Sequence, residues 1–180
     1  MNELIHNKQR CGWCNSSELY QKYHDHEWGK PVYDDQKLYE MFLLETFQAG
    51  LSWITILHKR EAFKEAFDQF DVNKIAMYDD CKINELMNNP KIIRNSRKIK
   101  AAVKNAQIFI EIQKEYGSFS KYLWAYTNDK IIYEKKENET TSTLSDQISK
   151  DLKKKGMSFV GSITIYSYLE AIGIYNHHDR

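Results

Sequence analysis

Apolar residues recur along this chain mostly at spacings of three and four, the period of a helix with one buried face. The stretch "DDQKLYEMFLLETFQAG" starts with Asp34 or Asp35 as an N-cap and stops at Gly50. "SWITILHKREAFKEAFDQF" follows, with Ser52 as cap and Trp53, Ile56, Leu57, Phe63 and Phe67 near helical spacing. Asp71 is placed to cap the short "VNKIAMY", and a further helix over about 79–88 halts at "NNP". A long helix is predicted over about 96–116, closed by Gly117, and Ser118 then caps "FSKYLWAY". Residues 128–144 are polar and turn-rich and read as a long loop, in which "KIIYEK" is at most a weak strand. Helix resumes over 145–156, and "VGSITIYSYLEAIG" is a last apolar helix stopped by Gly173. The pattern predicts an all-α protein with less regular termini, folded as a single domain over residues 1–180 with two helical lobes.

Composition narrows the class. Of 180 residues, 42% are hydrophobic, enough for a core. No run approaches the ~20 apolar residues of a membrane-spanning helix. The first ten residues, "MNELIHNKQR", lack the apolar stretch of a signal peptide, so a cytoplasmic location is expected. Three cysteines, Cys11, Cys14 and Cys81, make no disulfide framework. A net charge of +1 says nothing about partners, but its distribution does. Between Glu85 and Glu111 there is no acid, and that gap holds Lys91, Arg94, Arg97, Lys98, Lys100 and Lys104. Such a cluster on a near-neutral protein suits a polyanion, or a plain solvated helix face.

Four features carry candidate chemistry. Glu45 lies three, four and seven residues after Phe42, Met41 and Leu38, which puts a carboxylate on the apolar face of its helix. There it needs a partner or a changed proton affinity, unless it leans off the face into solvent. The corner "QAGLSW" then brings Trp53 close behind, so that an aromatic face and a carboxylate can line one cleft for a flat or cationic ring. A core role for Trp53 fits the same pattern. The segment over 79–88, the turn "NNPKIIRNS" and the long helix outline a helix-hairpin-helix unit. Such a unit can offer backbone N–H groups to a phosphate, although this turn lacks the usual glycines. Finally, Cys11, His24 and the pair His177–His178 are ligand types that zinc favours. A buried thiol and exposed tail histidines would be the ordinary alternative.

Taken in order, "CGW", "YHDHEWG", "LYEMFLLETFQAGLSWITIL", "IIRNSRKIKAAVKNA" and "FVGSITIYSYLEAIG" resemble the 3-methyladenine DNA glycosylase I family, from Cys11 to the end of the chain. The resemblance implies the helix-hairpin-helix DNA glycosylase fold. It implies a monofunctional enzyme of base excision repair that flips 3-methyladenine out of alkylated double-stranded DNA and hydrolyses its N-glycosidic bond. Free 3-methyladenine and an abasic site would be the products, and the protein would be a monomer. By motif position Glu45 is similar to the family's base-recognising carboxylate and Trp53 to its stacking tryptophan. Tyr20, Tyr23 and Trp28 match further aromatic walls. The chain has no Asp between Asp80 and Asp129, which fits the family's lack of the catalytic Asp used elsewhere in the superfamily. Leu51 is the candidate plug for the gap in the duplex, and Lys91, Arg94, Arg97 and Lys98 are the candidate phosphate contacts. The family also clasps its termini with a structural zinc, for which Cys11, His24 and His178 match three ligands. The fourth would fall about four residues past His178, beyond Arg180, which leaves open its removal by truncation, its replacement by Cys14 or water, or loss of the metal. His26 and His177 are expected not to be ligands. Rival readings are a glycosylase for another alkylated base such as 3-methylguanine, a catalytically silent sensor of alkylated DNA, and a zinc-stapled helical interaction domain.

Overall fold

The computed structural model describes residues 10–134 and 138–178. Nine α-helices account for most of these residues: α1 (Glu18–His26), α2 (Asp35–Gln48), α3 (Trp53–Ala66), α4 (Val72–Ile75), α5 (Asp80–Met87), α6 (Ser96–Tyr116), α7 (Phe119–Ala125), α8 (Thr143–Lys154) and α9 (Ser162–Ala171). Short 3-10 turns, Gly12–Ser16 and Asp68–Phe70, complete the helical content among them. Three of the expected capping residues, Asp34, Asp71 and Ser118, do the capping, whereas Ser52 makes no capping bond to an amide because its hydroxyl pairs with that of Thr55 at 2.7 Å. Asp34 accepts from the Lys37 amide, Asp71 from Asn73 and Lys74, and Ser118 from Lys121. Asn95, which opens the long helix, accepts from the Lys98 amide. Gly117 ends α6 in the left-handed conformation, where an L side chain would be strained.

Two segments differ from the expectation. The N-terminal stretch holds a helix, α1, that its polar sequence "ELYQKYHDH" does not advertise by periodicity. Its register comes from Ser17, whose hydroxyl accepts from the Tyr20 amide, and from burial of Tyr23 and His24 on one face. Helix α8 starts at Thr143, two residues before the expected start, because Ser142 and Ser145 form a reciprocal capping box. "KIIYEK" contributes a single parallel bridge, Ile132 to Tyr175. Part of that string and of the 128–144 loop lies outside the described residues, as do residues 1–9 and 179–180.

Helix α2 is the hub. It packs on α9, α3, α6 and α7, and its buried residues Leu38, Tyr39, Met41, Phe42, Leu43, Leu44 and Phe47 almost encircle it. A helix buried on all sides carries no clean polar face, so a charge within it is costly unless it has a task. The other organising feature is a crossing of distant segments. The amides of Gly29 and Val32 donate to the carbonyls of Glu170 and Ile172 at 3.1 and 2.9 Å, tying the chain after α1 to the end of α9. Gly173 (φ 79°) sits at this crossing, and a Cβ there would lie 2.3 Å from the Lys30 carbonyl carbon. Only glycine allows that approach.

Candidate functional site

A cavity of about 250 Å³ opens where α1, α2, α3 and α9 meet. Trp13, Tyr20, Tyr23, Trp28 and Trp53 form its walls, and Glu45, Gln48, Glu139, Ser167 and Glu170 supply its polar atoms. Its volume is below the usual range for drug-sized ligands, which suits a single small flat molecule.

Glu45 comes from the buried hub helix and is 3% exposed. Its Oε2 has no hydrogen-bond partner among the described residues, and neither does Nε1 of Trp53. Burial first, then the charge of Glu170, pushes the Glu45 carboxyl well above the ordinary carboxylate range. A desolvated carboxyl with an unused oxygen on a residue that lines a cavity is a candidate recognition group for a ligand donor. Opposite it, the rings of Tyr23 and Trp53 lie 5.5 Å apart. Trp13 packs edge-on against Tyr20 at 5.0 Å and against Trp28 at 5.1 Å. Glu45, Trp53, Tyr20, Tyr23 and Trp28, singled out in the sequence on different grounds, thus line one space.

The walls are braced from behind. The Arg60 guanidinium, on α3, donates to Glu27 Oε1 and Oε2 at 2.7 and 3.0 Å and to Glu40 Oε1 at 3.0 Å. Glu27 follows α1 and Glu40 lies on α2, so one half-buried cation on α3 ties together three of the four helices around the pocket. Burial would raise the Glu27 proton affinity, but Arg60 outweighs it and holds the carboxyl below its ordinary range.

The expected metal ligands share one patch. Nδ1 of His24 pairs with Asp25 at 3.0 Å, and its Nε2 faces the Cys11 amide at 3.4 Å. The rings of His24 and His178 are 4.6 Å apart, and His178 Nε2 donates to the Trp28 carbonyl at 2.6 Å. Among the described residues no group of three His, Cys, Asp or Glu has the arrangement of a metal site. The Cys14 thiol donates to the Cys11 carbonyl at 3.1 Å. His26 is exposed, and buried His177 bonds Glu170 and the Glu134 carbonyl.

Outside the cavity, Leu51 is 40% exposed on the corner between α2 and α3. Lys91, Arg94 and Arg97 are exposed around the start of α6. Lys98 does not belong with them. It is 7% exposed, and its Nζ donates to the carbonyls of Phe47 and Ala49 at 2.8 and 2.6 Å. Those are carbonyls of the last turn of α2 and its cap, which lack helical partners, and a cation there also favours the helix dipole. Lys98 is therefore a brace between the α6 start and the Leu51 corner rather than a phosphate contact. Sequence reasoning also missed Trp13, Gln48, Ser167, Glu139 and Glu170. Glu170 had a signal: it is the one charged residue in α9.

Comparison with known proteins agrees with this geometry. The methyladenine glycosylase family model matches residues 13–180. The DNA-3-methyladenine glycosylase of Haemophilus influenzae is 42% identical over 173 residues, covering 94% of both chains. DNA-3-methyladenine glycosylase 1 of Escherichia coli is 40% identical, covering 94% of this chain and 93% of its own. A solved structure of 3-methyladenine DNA glycosylase I from Staphylococcus aureus, described as showing the basis of 3-methyladenine recognition, superposes with a TM-score of 0.89. Its identity is 42%, over 95% of this chain and 93% of that one.

Proposed function

The chain belongs to the methyladenine glycosylase family, and from that premise we propose how its cavity excises 3-methyladenine from DNA. The activity is hydrolysis of the N-glycosidic bond of the alkylated nucleotide. One observation carries the mechanistic reading: the buried, unpartnered Oε2 of Glu45, a residue that lines a cavity walled by Trp53, Tyr23, Tyr20 and Trp28.

The base must leave the duplex to reach such a cavity. Methylation at N3 makes the ring of the nucleotide cationic and weakens its bond to the sugar. The aromatic walls hold a flat cation by stacking and cation–π attraction. Glu45 accepts from the exocyclic amine edge and offsets the ring charge. Water adds to C1′, the bonding pair returns to N9, and the ring departs as neutral 3-methyladenine. One proton is released and an abasic sugar remains. No acid is needed to protonate so good a leaving group.

The turn between α5 and α6 serves as a helix-hairpin-helix unit. Arg94 and Arg97 flank the α6 N-terminus, and with Lys91 they meet backbone phosphates there. Leu51 fills the gap left by the extruded base. Cys11, His24 and His178 are the residues that would hold a structural zinc: they are donors of the right type, and the His24 ring neighbours both the Cys11 amide and the His178 ring. Asp25 already orients the His24 ring as an outer partner would. The metal would supply a clasp for the termini and take no part in the hydrolysis.

Incubating the protein with methylated duplex DNA and identifying the released base by chromatography tests the reading. Release of 3-methyladenine is expected, and release of 3-methylguanine alone would redirect it.

A further inference from the structure

We propose that Glu170 is a second recognising carboxylate of the cavity, one that determines specificity by favouring a positively charged base over a neutral one. The inference rests on the base-excision reading above and deepens it.

The geometry comes first. Glu170 is carried by α9, on the side of the cavity supplied by the C-terminal helix, whereas Glu45 enters from the buried hub helix. One oxygen of Glu170 is already committed: Oε2 pairs with His177 Nδ1 at 3.0 Å, and His177 is buried with Nε2 on the Glu134 carbonyl at 3.1 Å. Its backbone carbonyl accepts from Gly29 at the chain crossing. The side chain is therefore held from two sides, while Oε1 has no partner among the described residues and the residue lines the cavity. Glu45, with its own unpartnered buried oxygen, is near enough to feel Glu170 electrostatically. Glu139 lines the same cavity, with the Tyr166 hydroxyl donating to it at 3.5 Å. Among the described residues no Lys or Arg lines this cavity.

Two carboxyl groups that line one small cavity, with no Lys or Arg among its described lining residues, cost free energy in the empty protein. A cationic ligand relieves that cost, and a neutral one does not. Such a site discriminates by charge, because what distinguishes the alkylated nucleotide from adenine is one methyl group and one positive charge. A methyl contact alone discriminates weakly. The free product is neutral, since the ring regains the glycosidic electron pair. A residue acting through charge should therefore matter for the nucleotide in DNA, and hardly at all for the free base.

That difference supplies the test. Single-turnover release of 3-methyladenine from methylated duplex DNA would be measured for the parent, Glu170→Gln and Glu170→Asp, beside equilibrium binding of free 3-methyladenine. Gln keeps an oxygen for His177 while removing the charge. Glu170→Gln is expected to slow release about tenfold, a modest charge effect for a group at a solvent-open rim, with free-base binding changed less than about twofold. Glu170→Asp should recover most of the rate. Equal losses in the Gln and Asp variants, or parallel losses of release and free-base binding, would overturn the proposal in favour of a packing role. Unchanged release by Glu170→Gln, with an active parent, would overturn it alone. A parent that releases no 3-methyladenine would overturn the excision reading and this proposal with it.

Discussion

Two regions build the cavity in opposite ways. The α2–α3 side is local: Glu45, Gly50, Leu51 and Trp53 are close in sequence, and one helix, one corner and the next helix place them. The opposite side is assembled from the two ends of the chain. Trp13, Tyr20, Tyr23 and Trp28 come from the first α-helix and its flanks, and Ser167 and Glu170 come from the last. These are held by the Gly29–Glu170 and Val32–Ile172 hydrogen bonds and by the Gly173 crossing. The comparison teaches a division of labour. The local side supplies the group whose burial demands a ligand, and the non-local side sets the shape and charge around it.

The largest effect should come from the local side. Glu45→Gln preserves shape and is expected to slow excision about 10²–10³-fold, the usual loss when one preorganised polar group facing developing charge is removed. It should also cripple binding of the free base. Titration of the free base into Glu45→Gln with parent-like affinity would show that Glu45 is a packing residue.

Breaking the non-local side should cost stability before chemistry. Gly173→Ala places a Cβ against the Lys30–Pro31 backbone at a positive φ, and about 3 kcal/mol or more of destabilisation is expected in urea unfolding. Gly50 has a similar φ (79°) but open space around it, so Gly50→Ala should lose only about 1 kcal/mol. Equal losses at the two glycines would mean that the crossing is not tightly packed. Arg60 joins the two sides. Arg60→Met would leave Glu27 and Glu40 with Lys37 as their shared cation, at roughly 1–2 kcal/mol of stability, and Glu27→Gln with Glu40→Gln in the same protein should restore much of it.

The contrast also explains what could be read from sequence. Helices α2 to α9 announce themselves through caps and period, because those signals are local. So does the corner that brings Glu45 and Trp53 together. Helix α1 was not legible, since its two buried residues meet rings far away in sequence, Tyr23 against Trp53 and His24 against His178. Glu170 stood out only as the lone charge in α9, and no local rule says which cavity it would line. Lys98 shows the same limit from the other side. Its sequence neighbours are basic and exposed, but the carbonyls that capture its Nζ belong to Phe47 and Ala49, about fifty residues upstream. Residue type marked it as cationic and left its partner undetermined. This yields a separable expectation for the DNA face. Arg94→Ala and Arg97→Ala should each lower the slope of log affinity against log salt by about 0.9. Lys98→Ala should leave the slope near the parent value and instead lower stability, by about 1–2 kcal/mol, chiefly for the buried Phe47 carbonyl left unpaired. A slope change at Lys98 equal to that at Arg97 would return it to the interface.

The smallest effect is the most direct probe of the buried carboxyl. The Glu45 carboxyl is raised above its ordinary range by burial and by Glu170, so the unfolded chain gives up its proton more readily than the folded one. Below about pH 4 both states hold the proton and Glu45 adds no pH dependence. As pH rises from there, unfolding releases a proton that folding would have to take back. Folded stability then falls by up to about 1.4 kcal/mol per pH unit, until the folded carboxyl itself ionises. Glu45→Gln removes this slope. The variant should match the parent near pH 4 and become the more stable protein toward neutral pH, while being the poorer enzyme throughout. Thermal unfolding of both proteins across that range decides the matter. Parallel curves would mean that Glu45 is ionised in the folded protein at ordinary cost, and that the cavity stores none of the strain on which the proposed recognition depends.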